Sequence, residues 1–243
     1  MPQIRIGCSG WAYRDWKGPF YPADLKDRDR LGFYASVFDT CEINASFYRL
    51  PSEAAVAAWR EGAPEGFVYA WKVSRFLSHN KKLNEPKDSI DLIFGRMAGL
   101  GDRQGPALLQ LPPMLRRNDE RLDAYLSLAP KGVRLTVEFR HPSWYDREVF
   151  DLLERHDAAL CISDHHDAPS PWERTASWVY VRGHGPGGRY FGRYGEALED
   201  WAGRIRRWSA EGCDVYAYFD NDIKAAAPAD AQQLKAMLAA KHG

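Results

Sequence analysis

The sequence has no long apolar run and no excess of charge of either sign. No uninterrupted apolar stretch approaches the roughly 20 residues of a transmembrane helix, and residues 1–7 lack the apolar segment of a signal peptide. The 33 Lys and Arg residues balance 33 Asp and Glu residues, so no net field gathers nucleic acid or anionic lipid. We therefore expect a cytoplasmic protein with no membrane partner. A small-molecule ligand is favoured over nucleic acid, and the oligomeric state is left open.

Cysteine is also scarce. The chain has four cysteines and no Cys-x-x-Cys pair, so the usual spacing of a zinc site or a redox motif is missing. Three of the four lie on or beside apolar runs, where a small side chain packs well. We expect reduced thiols in the core at Cys8, Cys41, Cys161 and Cys213.

Eight short apolar runs are the main positive feature, and stretches with a helix-like pattern separate them. This alternation is typical of a (β/α)8 barrel, whose usual length of roughly 250 residues is close to the 243 residues of this chain. We predict an α/β fold, a single TIM-type barrel domain over residues 1–243. The predicted strands are 4–8, 38–44, 67–72, 107–111, 133–138, 158–163, 178–182 and 214–219.

Polar and apolar side chains alternate within these runs. In the second run, Glu42 lies between Cys41 and Ile43. The helix-facing side of each strand must be apolar because it meets the outer ring, so the polar set should face the barrel interior. Polar residues at the strand ends then lie at the C-terminal mouth, where barrel enzymes have their active sites. The predicted inward-facing set is Glu42, Asn44, Lys72, Gln110, Glu138, Arg182, Tyr216 and Tyr218.

Two connections are longer than the others. Residues 10–26 follow the first strand and are rich in aromatic residues, and residues 164–177 follow the sixth strand. Long loops on the functional face often act as lids or as walls of a substrate pocket. The predicted helices are 53–60, 86–99, 118–128, 146–156, 195–212 and 228–241.

Short motifs of aromatic and polar residues extend over nearly the whole chain. They are Gly-Cys-Ser-Gly-Trp at 7–11 with Tyr13 and Trp16, Phe-Tyr-Pro at 20–22, Glu-Ile-Asn at 42–44, Phe-Tyr-Arg-Leu-Pro at 47–51, Gln-Leu-Pro-Pro at 110–113, Glu-Phe-Arg-His at 138–141 with Ser143 and Trp144, Arg182 with His184 and Gly185, and Tyr218 and Phe219 with Asn221 and Asp222. This set resembles the YecE-like family, a domain of unknown function. The resemblance implies a TIM-barrel fold without a settled activity, so the chemistry must be argued from the residues.

The polar set at the mouth predicts an enzyme that performs acid–base chemistry on a small anionic metabolite, phosphorylated or carboxylated. Glu138 and Glu42 are the expected acid–base pair, and Arg182, Arg140 and Lys72 are expected to hold the anion. The candidate residues are Glu42, Lys72, Glu138, Asp164 and His184 for catalysis, and Ser9, Trp11, Tyr13, Asn44, Tyr48, Gln110, Arg140, His141, Arg182, Tyr218, Asn221 and Asp222 for substrate binding.

A glycine-rich segment, Arg-Gly-His-Gly-Pro-Gly-Gly-Arg, follows the seventh strand at 182–189. The loops after strands seven and eight of this fold often bind phosphate, because glycine lets backbone N–H groups approach an anion and arginine adds a fork of donors. The segment predicts an anion cradle with Arg182 or Arg189. A tight turn explains the same glycines equally well.

Three other interpretations stay open at this point. A metal-dependent isomerase or endonuclease-like barrel would hold a divalent cation on carboxylates and imidazoles. A binding module for a sugar, a nucleotide or single-stranded nucleic acid would use Trp11, Tyr13, Trp16 and Tyr48 as a platform of aromatic rings on which the ligand stacks. A buried ion-pair network would have no catalytic duty at all.

No cofactor is predicted, and a divalent metal is the alternative. No motif places two metal ligands on one element, and the positive charges of Lys72, Arg140 and Arg182 would repel a cation. The residues that would supply the metal ligands are Glu42, Glu138, Asp164, His141, His165, His166 and His184.

Overall fold

In the computed structural model, which describes residues 2–84, 87–188 and 190–240, eight parallel strands form the centre of the protein. The strands are β1 Ile4–Cys8, β2 Thr40–Ile43, β3 Val68–Lys72, β4 Gln104–Gln110, β5 Leu135–Glu138, β6 Ala159–Ser163, β7 Trp178–Gly183 and β8 Asp214–Phe219. Their order in the sheet is β1-β8-β7-β6-β5-β4-β3-β2. The predicted (β/α)8 barrel is therefore confirmed, and each predicted strand overlaps an observed one.

The barrel closes where β1 approaches β2. Ser9 and Glu42 form a single parallel bridge between the two strand ends. Two residues before Ser9, a Cβ atom on Gly7 would lie 2.3 Å from the carbonyl oxygen of Thr40. Because no side chain fits in that gap, glycine at this position allows the close approach.

The predicted alternation of side chains is confirmed on every strand. Apolar residues such as Ile43 and Val137 belong to the large core between the sheet and the outer helices. A second, smaller cluster fills the barrel interior, and its aromatic members, Trp178, Tyr180, Tyr216 and Tyr218, come from β7 and β8. The polar residues that alternate with the outer core therefore point into the barrel, above this interior cluster.

Eight α-helices lie within the described residues. They are α1 Arg30–Val37, α2 Ala45–Tyr48, α3 Glu53–Gly62, α4 Lys87–Met97, α5 Asp119–Leu128, α6 Arg147–Arg155, α7 Leu198–Ala210 and α8 Ala226–Ala239. The six predicted helices are all observed, with Pro86 and Lys241 at their predicted ends lying outside the described residues. The helices α1 and α2 were not predicted, and the connection from β6 to β7 has no helix. None of the described helices combines the length and apolar character needed to cross a membrane.

The aromatic connection after β1 is packed into the protein. Trp16 has no exposed area, and its Nε1 donates to the carbonyl oxygen of Asp222 at 2.9 Å. The hydroxyl of Tyr21 donates to the carbonyl oxygen of Trp11 at 2.6 Å. The ring of Phe20 packs against Trp16 and Tyr21. This loop is therefore an anchored wall beside the mouth, with its deepest rings in the core.

Candidate functional site

Every strand of the barrel brings a polar side chain to the C-terminal mouth. Parallel strands end on the same side, so residues from distant parts of the chain meet there. The set, in strand order, is Ser9, Glu42, Lys72, Gln110, Glu138, Ser163, Arg182 and Asp220.

Arg182 lies at the centre of this set and has no exposed area. Its Nε and Nη2 donate to the two carboxylate oxygens of Glu42 at 3.0 and 2.8 Å. Its Nη1 donates to Glu138 at 2.9 Å, and Nη2 donates to Asp220 at 2.8 Å. Nη1 also lies 2.8 Å from Nε2 of His184. Every N–H group of the guanidinium has an acceptor, so this geometry does not support the expected role of Arg182 in holding a ligand anion.

Glu42 is equally saturated. Its Oε1 accepts from the hydroxyl of Ser9 and from Arg182, and its Oε2 accepts from the hydroxyl of Tyr180 at 2.6 Å and from Arg182. The side chain has no exposed area. The Ser9 hydroxyl in turn accepts from the amide of Asn44 at 3.0 Å. Glu42, Ser9 and Asn44 thus form a fixed hydrogen-bonded wall, in which Glu42 has no free oxygen to exchange a proton with a ligand.

Glu138 is held between two guanidinium groups. Its Oε2 accepts from Arg182, and its Oε1 lies 2.6 Å from Nη2 of Arg140 and 3.3 Å from the hydroxyl of Ser163. Burial opposes the charge of Glu138, but Arg140 and Arg182 outweigh it and hold the pKa of this carboxyl well below its usual range. Burial likewise opposes the charge of Asp220, and Arg182 and Lys72 lower the pKa of Asp220. Both carboxylates stay ionised at neutral pH.

His184 connects the centre of the mouth to its rim. Its Nε2 faces the N–H groups of Arg182 at 2.8 Å and Arg140 at 3.2 Å. Because a guanidinium only donates, this nitrogen carries the lone pair and the ring proton is assigned to Nδ1. Nδ1 lies 3.3 Å from the hydroxyl of Ser163 and 3.5 Å from Asp164. Asp164 also accepts from the backbone N–H of His184 at 2.6 Å, which fixes the ring in place.

Lys72 differs from its neighbours because it has no partner of opposite charge. Its residue exposure is 9%, and within the described ranges its Nζ makes no hydrogen bond or ion pair. The Nζ lies 5.7 Å from the centre of the Phe47 ring. Burial and the charge of Arg182 lower the pKa of Lys72, and Asp220 and Glu42 offset only part of this effect.

Arg140, on the same side of the barrel, also has N–H groups without an acceptor among the described residues. Its Nη2 is taken by Glu138 and His184, and its Nε donates at 3.1 Å to the side-chain oxygen of Gln110 when that amide is oriented to satisfy both of its ends. Among the described residues, no hydrogen bond of its Nη1 is found. Lys72 and Arg140 are therefore the two cationic side chains of the mouth that keep N–H groups without an acceptor among the described residues.

Four residues of the mouth were not among the predicted site residues. Ser163 ends β6 and Asp220 follows β8, and each is next to residues that were selected as candidates. Tyr180 lies two residues before Arg182 on β7. His79 lies on a π-helical turn, Phe76–Asn80, after β3. Such turns are often found at functional sites. The ring of His79 packs edge-on against Phe47, and burial together with the charges of Arg75 and Arg140 lowers the pKa of His79.

Several predicted binding residues have other partners. The hydroxyl of Tyr218 lies 2.6 Å from that of Thr40, inside the barrel. The amide of Asn221 donates to Asp230 at 2.7 Å and so ties β8 to α8. His141 accepts from the backbone N–H of Ser143 and caps a short turn.

Two further predicted binding residues lie at the edge of the mouth. Tyr48 is 70% exposed at the end of α2. Asp222 is half-buried beside Asp220, and burial together with the charge of Asp220 raises its pKa to about 6. Neither side chain contacts Arg182 or Glu138 through a hydrogen bond in the described chain.

The glycine-rich segment is a tight turn. Four backbone N–H groups of the segment already have acceptors within the protein. That of His184 donates to Asp164 and that of Gly185 to the hydroxyl of Tyr194. Those of Gly187 and Gly188 donate to the carbonyl oxygens of Phe191 and Gly185. Gly185 has a φ of +100°, and a Cβ there would lie 2.4 Å from the carbonyl oxygen of Phe191. These donors are already used, so they do not form the predicted anion cradle; Arg189 lies outside the described residues.

An apolar pocket of about 230 Å³ adjoins the mouth. Its lining includes Trp11, Tyr13, Trp59 and Asn44. Asn44 also donates to Ser9 and so connects the pocket to the mouth. Of the aromatic residues that were expected to form a stacking platform, Trp11 and Tyr13 therefore lie together. Trp16 is in the core, as described above.

The residues that were considered as metal ligands are divided between two places. Glu42 and Glu138 have their oxygens occupied by guanidinium donors. On the rim, one ligand atom from each of His165, His166 and Asp167 lies within 4.8 Å of the others. Nδ1 of His165 already accepts from the backbone N–H of Asp167 at 3.4 Å, which competes with metal binding through that nitrogen.

Comparison with known proteins gives a family and a fold. The family described as "Protein of unknown function DUF72" matches residues 5–243. The UPF0759 protein YunF of Bacillus subtilis (strain 168) is 25% identical over 270 residues, which span 97% of this chain and 94% of YunF. A DUF72 family protein of Thermotoga maritima MSB8 is 27% identical with a TM-score of 0.88, over 97% of this chain and 99% of that one. A DUF72 family protein of Enterococcus faecalis V583 has the same fold, with a TM-score of 0.84 at 21% identity over 99% and 97% of the two chains.

Proposed function

This chain belongs to DUF72, a protein family of unknown function, and we propose that its barrel mouth binds a small anionic metabolite and catalyses an acid–base reaction on it. Membership of an uncharacterised family was predicted, although under the YecE-like name. A shared barrel does not define a reaction, so the proposal depends on the side chains of the mouth. The cytoplasmic location stays a prediction.

The unpaired ammonium of Lys72 is the observation that carries the proposal. A charged group that is nine-tenths buried normally has a partner, because burial of an unpaired charge is costly. Glu42, Glu138 and Asp220 are already bonded to Arg182. A bound anion would give Lys72 its missing partner and would also use the free Nη1 of Arg140.

The acid–base role moves from the two glutamates to Lys72. A general acid or base works best when its pKa is near the working pH. The pKa of Glu138 is shifted far below that range, whereas the pKa of Lys72 is shifted downward toward it. In this proposal Glu42, Glu138 and Arg182 hold the geometry, and Lys72 exchanges the proton.

Phosphate and lactate should each raise the melting temperature of the protein above the value in chloride of equal ionic strength. A ligand that binds only the folded state stabilises it by mass action, by about 2.7 kcal/mol at one hundred times its dissociation constant. The response should be lost in Lys72→Met, which keeps the length of the side chain and removes its charge. Thermal melts over a concentration series of each salt measure it.

The matched control is Lys131→Met, since Lys131 is exposed and lies after α5, away from the mouth. This variant should respond to both anions as the unmodified protein does. An unchanged response in Lys72→Met, or a response no larger than that to chloride, would show that the anion site is not at the mouth.

A further inference from the structure

We propose that Lys72 forms an imine with the carbonyl carbon of a 2-oxo acid whose carboxylate is bound by Arg140. The proposal rests on the proposed function, because it assigns the substrate class of the same site. In this proposal Arg140 binds the carboxylate of the substrate by charge, and Lys72 forms the covalent bond.

The surroundings of Lys72 lower its pKa, so that it can pair with a bound anion as an ammonium and, after losing that proton, attack a carbonyl as a neutral amine. Lys72 is nine-tenths buried, and its Nζ has no hydrogen-bond acceptor among the described residues. Burial and the charge of Arg182 lower the pKa of Lys72 by more than Asp220, Glu42 and Glu138 raise it. A desolvated lysine beside another cation is the usual setting for a nucleophilic amine.

The surroundings of Arg140 favour a carboxylate as the anion. Glu138 and Gln110 hold the guanidinium in place through Nη2 and Nε, so the planar Nη1 edge is fixed in orientation. The N–H groups of Nη1 can donate to an oxygen of a carboxylate. The backbone donors of residues 184–188 that would suit a phosphate are used within the turn.

A carbonyl next to the carboxylate is the electrophile that Lys72 can reach from this arrangement. Gln110 ends β4 and Lys72 ends β3, and these strands are neighbours in the barrel. Arg140, which bonds to Gln110, therefore lies across one strand from Lys72. His79 and the Nζ of Lys72 both lie against the ring of Phe47, so these two side chains share one region of the mouth.

The reaction balances without an oxidant or a reductant. The lone pair of the neutral Nζ forms a C–N bond while the carbonyl π bond breaks and its oxygen takes a proton, giving a carbinolamine. The nitrogen loses one proton, the C–O bond breaks as that oxygen takes a second proton and the nitrogen lone pair forms the C=N bond, water leaves, and the nitrogen then loses its second proton. The products are the imine and one water. In this proposal His79, which packs on the same Phe47 ring, accepts and returns these protons.

Borohydride trapping with pyruvate tests the proposal. Hydride from borohydride reduces the imine to a stable secondary amine, so the protein should gain the mass of one reduced pyruvate unit, and peptide mapping should find it on Lys72. Lysines on the surface should be modified far more slowly. Lactate, which has the same carboxylate and no carbonyl, should form no adduct and should slow trapping by pyruvate.

Lys72→Arg keeps a positive charge at the position and has no amine that forms a stable imine. It should fold, as checked by its melting curve, and should lose the single fast adduct. Adducts that spread over surface lysines at one rate, or that persist in Lys72→Arg, would overturn the imine. If lactate still raises the melting temperature in that case, the anion site stands and only the covalent step fails. If lactate also has no effect, both proposals fail.

Discussion

Replacing Arg182 with methionine should lower the free energy of unfolding by about 3–5 kcal/mol, the usual effect of removing one partner from a buried ion-pair network. Arg182 has no exposed area and bonds to Glu42, Glu138 and Asp220. Without the guanidinium, three carboxylates are left in a buried space with fewer positive charges than negative ones. Urea denaturation at neutral pH measures the loss.

Two further variants separate this effect from loss of side-chain volume. Arg147→Met removes a surface arginine that is 59% exposed and pairs with Asp151 and Glu154, and should change the free energy of unfolding by less than about 1 kcal/mol. Adding Glu42→Gln to Arg182→Met should recover part of the loss, because it removes one of the uncompensated charges. An Arg182→Met variant as stable as Arg147→Met would mean that the network does not hold the mouth together.

The protein should lose stability as the pH falls from about 6.5 to about 4, and His165 should account for part of the loss. His165 is 6% exposed. Burial and the charges of Arg140 and His184 lower the pKa of His165 to about 4. The unfolded chain therefore binds a proton in this window that the folded chain does not, and stability falls on acidification by up to about 1.4 kcal/mol per pH unit for this one proton.

Glu138 and Asp220 do not produce this slope over most of the same window, and Asp222, whose pKa is raised to about 6, adds a slope of the opposite sign. Glu138 and Asp220 have lowered pKa values, so their contribution is complete above the unfolded pKa and is lost only at more acidic pH. His165→Asn keeps an acceptor for the backbone N–H of Asp167 and should flatten the slope. His156→Asn, at a surface contact with Asp123, is the control. Equal slopes in the two variants would contradict the role of His165.

The strands and their inward faces were predictable because both follow from local pattern. A run such as 135–138 alternates apolar and polar side chains, and the apolar set must meet the outer helices wherever the strand lies. The helix α2 and the π-helical turn at Phe76–Asn80 were not predictable in the same way. Each is about one turn long, and so short a segment carries no periodicity.

The membership of the site was partly predictable, and the roles were not. Strand ends identified Glu42, Glu138 and Arg182 because such positions meet at one mouth. Pattern alone does not reveal that Arg182 uses all its donors within the protein, since this depends on distances between four strands. Asp220, next to two residues that were selected, was missed because β8 and its turn determine which of three adjacent polar residues faces inward.

The sequence left two interpretations of the glycine-rich segment open, an anion cradle and a tight turn. Glycines that let a backbone approach an anion and glycines that let it turn sharply have the same sequence. The positive φ of Gly185 and its contact with Phe191, together with N–H groups bonded inside the protein, decide for the turn. In the proposed function, Lys72 and Arg140 bind the anion in place of this backbone.

A crystal structure of the protein soaked in lactate would locate the bound anion and so test the proposed site. We expect a carboxylate within hydrogen-bonding distance of Nη1 of Arg140, with the ligand in reach of Nζ of Lys72 and with Arg182 still bonded to Glu42 and Glu138. Lactate bound to the backbone of residues 184–188, or to an Arg182 released from its carboxylates, would contradict it. So would an unoccupied mouth at a lactate concentration that raises the melting temperature.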